Sequence, residues 1–324
     1  MASLLQPDRN SKHNDNNSFK YKLDCQTLID NHKKTNTNTD TNPDTQNWLH
    51  LVKQIEHDSP DYTLYNALLE KHKQIVVKIG PPKLENEYEI GKLLDTLKIP
   101  TFLGYICMFS CLDDFFTFKG KTEEEKAFLN SKRTSLCKKD GEQINILVMP
   151  YINNGTIDKY KWTKQNFDTL KNVIKHIVIT ILYSALTIGF IHTDAHLGNI
   201  MIQKTNRKII KYGDFYELEI IGGIMPIIMD YDKAQIQGES VNLVLVYNDI
   251  RKLFNLLDAE LKIKFNISKI LDLIWTLTNK HISITTDLCN KLLYKIDSLE
   301  IYLDLNDIPS MPSFLLPVSS RNLK

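Results

Sequence analysis

The run Phe190-Ile-His-Thr-Asp-Ala-His-Leu-Gly-Asn-Ile-Met-Ile202 constrains this chain more than any other segment. Two apolar flanks enclose a polar core of His192, Asp194, His196 and Asn199, and Gly198 lets the backbone turn tightly within it. An aspartate followed five residues later by an asparagine suits phosphoryl transfer from a single loop. The carboxylate accepts or orients the attacking hydroxyl, while the amide oxygen ligates a magnesium ion.

Three further signals surround that loop in a meaningful order. Lys78 lies in the middle of Gln74-Ile-Val-Val-Lys-Ile-Gly80, which reads as a buried strand. A lysine placed there needs a partner, because an unpaired buried charge is expensive. Glu87, nine residues on, lies beside the apolar face of a helix traced by Leu84, Ile90, Leu94 and Leu97. It is a better candidate than Glu89 to hold the ammonium. Downstream, Ile227-Ile-Met-Asp230 ends an apolar strand on a hard oxygen ligand, with Asp232 two residues beyond. Magnesium takes only one or two protein oxygens beside water and substrate phosphates, so Asn199 and Asp230 form the candidate metal pair. Asp214 in Gly213-Asp-Phe215 competes with Asp230, but the continuous apolar strand favours the later residue.

Residues 1–45 are rich in Asn, Asp, Thr and Lys and read as a disordered tail, with too few apolar groups to offset the entropy of ordering. Strand-like segments follow at 49–55, 74–80, 102–109 and 144–152, interrupted by the helix that Pro100 closes. A polar, Lys-rich stretch at about 119–142 reads as a surface insertion. Beyond Tyr151 the pattern becomes helical, with Phe167, Leu170, Val173, Ile174, Ile177, Ile181 and Leu182 on one long apolar face. Strands followed by helices give an α+β plan.

Composition narrows the partners. Lys+Arg at 40 against Asp+Glu at 39 leaves +1, so no long-range field draws the chain to nucleic acid or an anionic membrane, and neither is expected as a partner. The longest apolar run, Ile177–Ile191, holds Tyr183, Ser184 and Thr187 and is short for a bilayer. With no secretory leader pattern at the N-terminus, a cytoplasmic soluble protein is expected. Five scattered cysteines without a CxxC pair are expected to be reduced and packed rather than bridged or zinc-bound.

VVKIG with Lys78, Glu87, HTDAHLGN and MDYD together resemble the signature set of the protein-kinase superfamily. The closest likeness is to atypical serine/threonine kinases, haspin-type and those of large DNA viruses; the Asn- and Ile-rich composition suits such a virus, and the location would then be host cytoplasm or virion. The resemblance implies a bilobal protein-kinase-like fold. Residues 46–148 would form an N-lobe with an antiparallel sheet and one helix, 149–155 a hinge, and 156–310 a mainly helical C-lobe with a hairpin inserted at about 203–225. Residues 311–324 would be a C-terminal tail. It further implies ATP with Mg²⁺ or Mn²⁺, protein substrates, and Asp194, Lys78 and Glu87 as the catalytic set. Met149 would lie at the back of the nucleotide pocket with Pro150, Tyr151 and Ile152 facing adenine, and Asp249 would brace the catalytic loop from below.

Several features depart from the family pattern. The phosphate-covering turn, Glu56 to Tyr62, holds no glycine and carries Asp58 and Asp61. Asn199 and Asp230 are 31 residues apart, about twice the usual spacing. His196 stands where most serine/threonine kinases have lysine, and a histidine there also occurs in aminoglycoside- and choline-kinase-like enzymes. Three activities therefore stand open: a Ser/Thr protein kinase, a small-molecule phosphotransferase, and a pseudokinase scaffold.

Overall fold

A computed structural model describes residues 49–55, 61–69, 73–110, 142–214, 216–238 and 242–261, with short stretches at 117–118, 138–139, 263–265 and 301–303 and the single residues 272 and 291. The tail at 1–45, turn residues 56–60, most of the 119–142 insertion and the segment 311–324 lie outside the described residues.

Strands β1 (Leu49–Ile55), β2 (Thr63–Leu69) and β3 (Lys73–Gly80) lead into helix α1 (Leu84–Thr96). They are followed by β4 (Cys107–Ser110), β5 (Thr117–Phe118), β6 (Lys138–Lys139), β7 (Glu142–Gln143) and β8 (Asn145–Pro150). A six-stranded sheet runs β4-β8-β3-β2-β1-β5, antiparallel except where β5 joins β1. Thr63–Leu69 is a full strand, so the turn expected to cover phosphates ends by Tyr62. Of the strand expected at 102–109 only the end from Cys107 pairs; Phe102 and Leu103 instead turn away to meet Ile228.

Side chains alternate across β3. Ile75, Val77 and Ile79 join Leu49, Leu51, Ile146 and Val148 in one core, while Lys78 and Val76 face the other side, opposite Leu147 and Met149 of β8. Cys107, fully buried, is disulfide-bonded, which corrects the expectation of reduced thiols; the other four cysteines are outside the described residues.

The second core is built on helix α2 (Phe167–Ile188) and helix α3 (Leu243–Leu261). α2 is long and apolar enough to cross a membrane, but 67% of its most apolar window is buried inside the fold. It packs against β9 (Phe190–Ile191) and β13 (Ile224–Ile228). Gly189 ends α2 at φ +71°, the left-handed cap that reverses the chain into β9.

β10 (Ile200–Lys204) pairs with β13, and between them β11 (Ile209–Tyr212) and β12 (Tyr216–Glu219) form a hairpin. The hairpin docks on α2 by polar contacts. His176 Nδ1 lies 2.9 Å from the Tyr212 hydroxyl, and Asn172 Nδ2 donates to the Glu219 carbonyl. β14 (Gln235–Ile236) pairs with β9, and β15 (Ile263–Phe265) with β16 (Ile301–Leu303). The whole is a mixed α+β fold.

Candidate active site

α1 buries Leu84, Glu87, Ile90, Gly91 and Leu94, a helical stripe that is apolar apart from Glu87. A carboxylate on that stripe is tolerable only with partners. Lys78 supplies one, its Nζ 2.8 Å from Glu87 Oε2, and the Tyr105 hydroxyl donates to Oε1 at 2.7 Å. Lys78 is 2% exposed and Glu87 1%. The same ammonium reaches Asp230 Oδ1 at 2.6 Å and lies 4.0 Å from the centre of the Tyr62 ring. Burial works against the Lys78 charge, but Glu87 and Asp230 outweigh it and hold the ammonium above the ordinary lysine range.

Asp230 follows β13 with φ +66°, a left-handed conformation that a non-glycine residue adopts only when held. The neighbouring Tyr231 holds it. Fully buried, its hydroxyl donates to the Ile228 carbonyl at 2.7 Å and accepts from the Leu103 N–H at 2.9 Å. Its ring meets those of Phe102, Tyr105, Phe190 and His192 edge-on. Asp214 sits exposed at the β11–β12 turn, away from this cluster.

The loop between β9 and β10 carries the other expected residues. Asn199 is buried; its Nδ2 donates to the Asp194 carbonyl and its own carbonyl accepts from Met229 N–H, tying the loop to the approach to Asp230. His192 Nε2 donates to the Met229 carbonyl at 3.0 Å. Thr193, φ +60°, donates its N–H to Asp249 Oδ2 at 2.9 Å, so Asp249 of α3 does brace the loop. Burial pushes the Asp249 carboxyl up, while the Thr193 and Ala195 N–H groups hold it down.

Asp194 is engaged at both oxygens, by Lys233 at 2.8 Å and Lys252 at 3.0 Å. Burial opposes its charge, but hydrogen bonds from Lys233 and Lys252 prevail and lower its pKa to about 2. His196 is half-buried, and burial holds it below the ordinary histidine range. Sequence reading missed Lys233, Lys252, Thr193, Tyr105 and Tyr231. The one available signal was the place of Lys233 directly after the Met229-Asp-Tyr-Asp232 run.

Met149 is buried on the same face of the sheet as Lys78. Pro150, Tyr151 and Ile152 line a cavity of about 560 Å³ that also touches Ile75, Phe102 and Met225; Lys78, Glu87, Asp194, Asn199 and Asp230 do not line it. Asp61, one of the two acids of the Glu56–Tyr62 segment, pairs with exposed Lys83.

A profile of the ABC1 atypical kinase-like domain matches residues 138–220. The matched stretch is about a quarter of the chain, and it holds Asp194 and Asn199 but stops short of Lys78, Glu87 and Asp230. Similarity and fold together support a protein-kinase-like superfamily and a kinase-like phosphotransferase or pseudokinase. No curated protein matches the chain.

Proposed function

We propose that the chain is an ATP- and Mg²⁺-dependent protein kinase that transfers the γ-phosphoryl group to Ser/Thr hydroxyls of proteins, in the manner of haspin-type and large-DNA-virus kinases. The observation that carries this reading is the single ammonium of Lys78 joined to both Glu87 and Asp230. A buried lysine held by a helix carboxylate grips the α- and β-phosphates, and a carboxylate at its far side belongs beside the phosphate-bound metal. Asp194 orients the hydroxyl and takes its proton. Met149 and the Pro150–Ile152 backbone bound the adenine.

The donor set fits magnesium. The Asn199 amide nitrogen is spent on the Asp194 carbonyl, which leaves its oxygen as a ligand, and Asp230 adds a carboxylate. Two hard oxygens beside water and phosphate are what that ion takes, and bound there it would neutralise charge on the phosphates. The test is transfer from γ-labelled ATP with Mg²⁺ or Mn²⁺ to the protein itself, casein, histone and myelin basic protein. Label on Ser or Thr that is lost in Asp194→Asn supports the reading. Label appearing only on choline or an aminoglycoside moves the acceptor to a small molecule.

A pseudokinase is the second reading. It is favoured by the lysines that occupy Asp194 and Asp230 and by the glycine-free turn. ATP binding by calorimetry without transfer to any acceptor would select it.

A further inference from the structure

Both oxygens of Asp194 are taken by ammonium groups that come from different segments. Lys233 stands three residues past Asp230 and reaches Oδ2, while Lys252 stands on α3 and reaches Oδ1. Their side chains are 63% and 45% exposed, so the ammoniums border the open side of the carboxylate. The hydrogen bond to Asp194, with weaker attraction from Asp232 and Asp230, holds the Lys233 ammonium above the ordinary lysine range.

One residue ties the Asp194 loop to the segments that carry both lysines. Thr193, directly before Asp194, donates its hydroxyl to the Lys233 carbonyl at 2.6 Å. Its N–H donates to Asp249, one helical turn before Lys252 on α3. Thr193 pays for this double tether with a φ of +60°, unusual for a β-branched residue.

Transfer to a hydroxyl held by Asp194 brings that carboxylate close to the phosphorus under attack. Carboxylate and phosphoryl oxygens repel strongly in a partly buried site unless cations stand between them. We propose that Lys233 and Lys252 form a two-ammonium clamp for the γ-phosphoryl group of a bound nucleoside triphosphate, passing from Asp194 onto the phosphoryl oxygens when the nucleotide enters. This rests on the phosphotransferase reading. The exchange replaces two charge-assisted hydrogen bonds by two others and leaves the Asp194 carboxylate free for the acceptor. In the step that follows, the bond from the γ-phosphorus to the β,γ-bridging oxygen breaks and the acceptor oxygen bonds to phosphorus. The acceptor proton passes to Asp194, and the nucleoside diphosphate leaves with the bridging oxygen.

Calorimetry with Mg-ATP and Mg-ADP tests the clamp without requiring turnover. Wild type should bind ATP about tenfold or more tighter than ADP, the effect of one or two charge-assisted bonds to the γ-group. Lys233→Met with Lys252→Met should erase the preference and leave ADP affinity within about twofold, while the Lys→Arg pair retains it. Asp194→Asn, which frees both ammoniums, should bind ATP more tightly, and that gain should vanish when the two Met substitutions are added. An ATP preference that survives the Met pair overturns the clamp alone, as does equal affinity of wild type for ATP and ADP. Wild type that binds neither nucleotide overturns both the clamp and the phosphotransferase reading.

Discussion

Lys78 Nζ lies 2.6 Å from Asp230 Oδ1, although 152 residues separate them, and the same nitrogen is 2.8 Å from Glu87. One buried ammonium thus joins a strand of the sheet, the helix that packs on that sheet, and the exit of β13, whose apolar residues share one core with those of the helix. Two carboxylates share one cation, and only Asp230, about a fifth exposed, has access to water. Removing the cation therefore affects the two acids unequally.

Lys78→Met leaves Glu87 buried with only the Tyr105 hydroxyl as a partner, and stability should fall by about 3 kcal/mol or more. Lys78→Met combined with Glu87→Leu removes the orphaned charge and should recover most of that loss, because an apolar pair of similar volume is often neutral. Urea unfolding of the single and double variants measures both. A single variant within about 1 kcal/mol of wild type would contradict the buried pair.

His176 gives the fold an acid limit. It is fully buried between Tyr212 and the Glu219 carbonyl, and burial lowers its pKa to about 4, from 6.5. The unfolded chain then binds the extra proton first as pH falls, so stability is whole above about pH 6.5 and drains away towards pH 4. The loss between pH 7 and pH 5 should be about 2 kcal/mol. His176→Gln should flatten that part of the stability–pH profile, and an unchanged slope would assign the acid sensitivity to other groups.

Legibility in the sequence followed how local each signal was. Lys78 was readable because a charge inside Ile-Val-Val-Lys-Ile violates its own strand, and Glu87 because it lies on the stripe of α1. An apolar strand leads into Asp230 whereas Asp214 tips a hairpin, and of the two it is Asp230 that meets Lys78. Lys233 and Lys252 broke no local rule: each is an ordinary exposed lysine until folding brings Asp194 between them. Tyr105 was hidden in a stretch read as strand, which the pull of Ile228 on Phe102 and Leu103 turns into a loop. The bridged state of Cys107 left no local mark either, since the sequence holds no CxxC pair.

Asp249 should matter for both stability and turnover. Its carboxylate accepts the Thr193 N–H and holds a residue whose φ of +60° is unfavourable. Asp249→Ala strands that donor and should cost about 2 kcal/mol, while Asp249→Asn keeps a neutral acceptor and should cost about half as much. Transfer should fall more steeply than stability in both, because a displacement of about 1 Å at Asp194 is enough to lose about a hundredfold in rate. Parallel urea unfolding and transfer assays check the order Ala, then Asn, then wild type.

Gly91 provides a test in which packing opposes helix propensity. In an open helix interior, Gly→Ala stabilises by about 1 kcal/mol. Here a β-carbon at Gly91 would lie 2.3 Å from Tyr105 Cδ2 and 2.4 Å from Cε2, so the ring must move. That ring is partly buried against the core, meets Tyr231 edge-on at 5.6 Å and carries the hydroxyl that holds Glu87. Gly91→Ala should therefore destabilise the protein by about 1–3 kcal/mol, the cost of overpacking a filled core. It should also weaken nucleotide binding, by loosening Glu87 and through it Lys78. Pairing Gly91→Ala with Tyr105→Phe leaves the clash and should not rescue stability, whereas Tyr105→Leu removes the ring and should rescue it in part. Thermal melts of the four proteins decide the sign, and a more stable Gly91→Ala would show that α1 can shift away from Tyr105 at little cost.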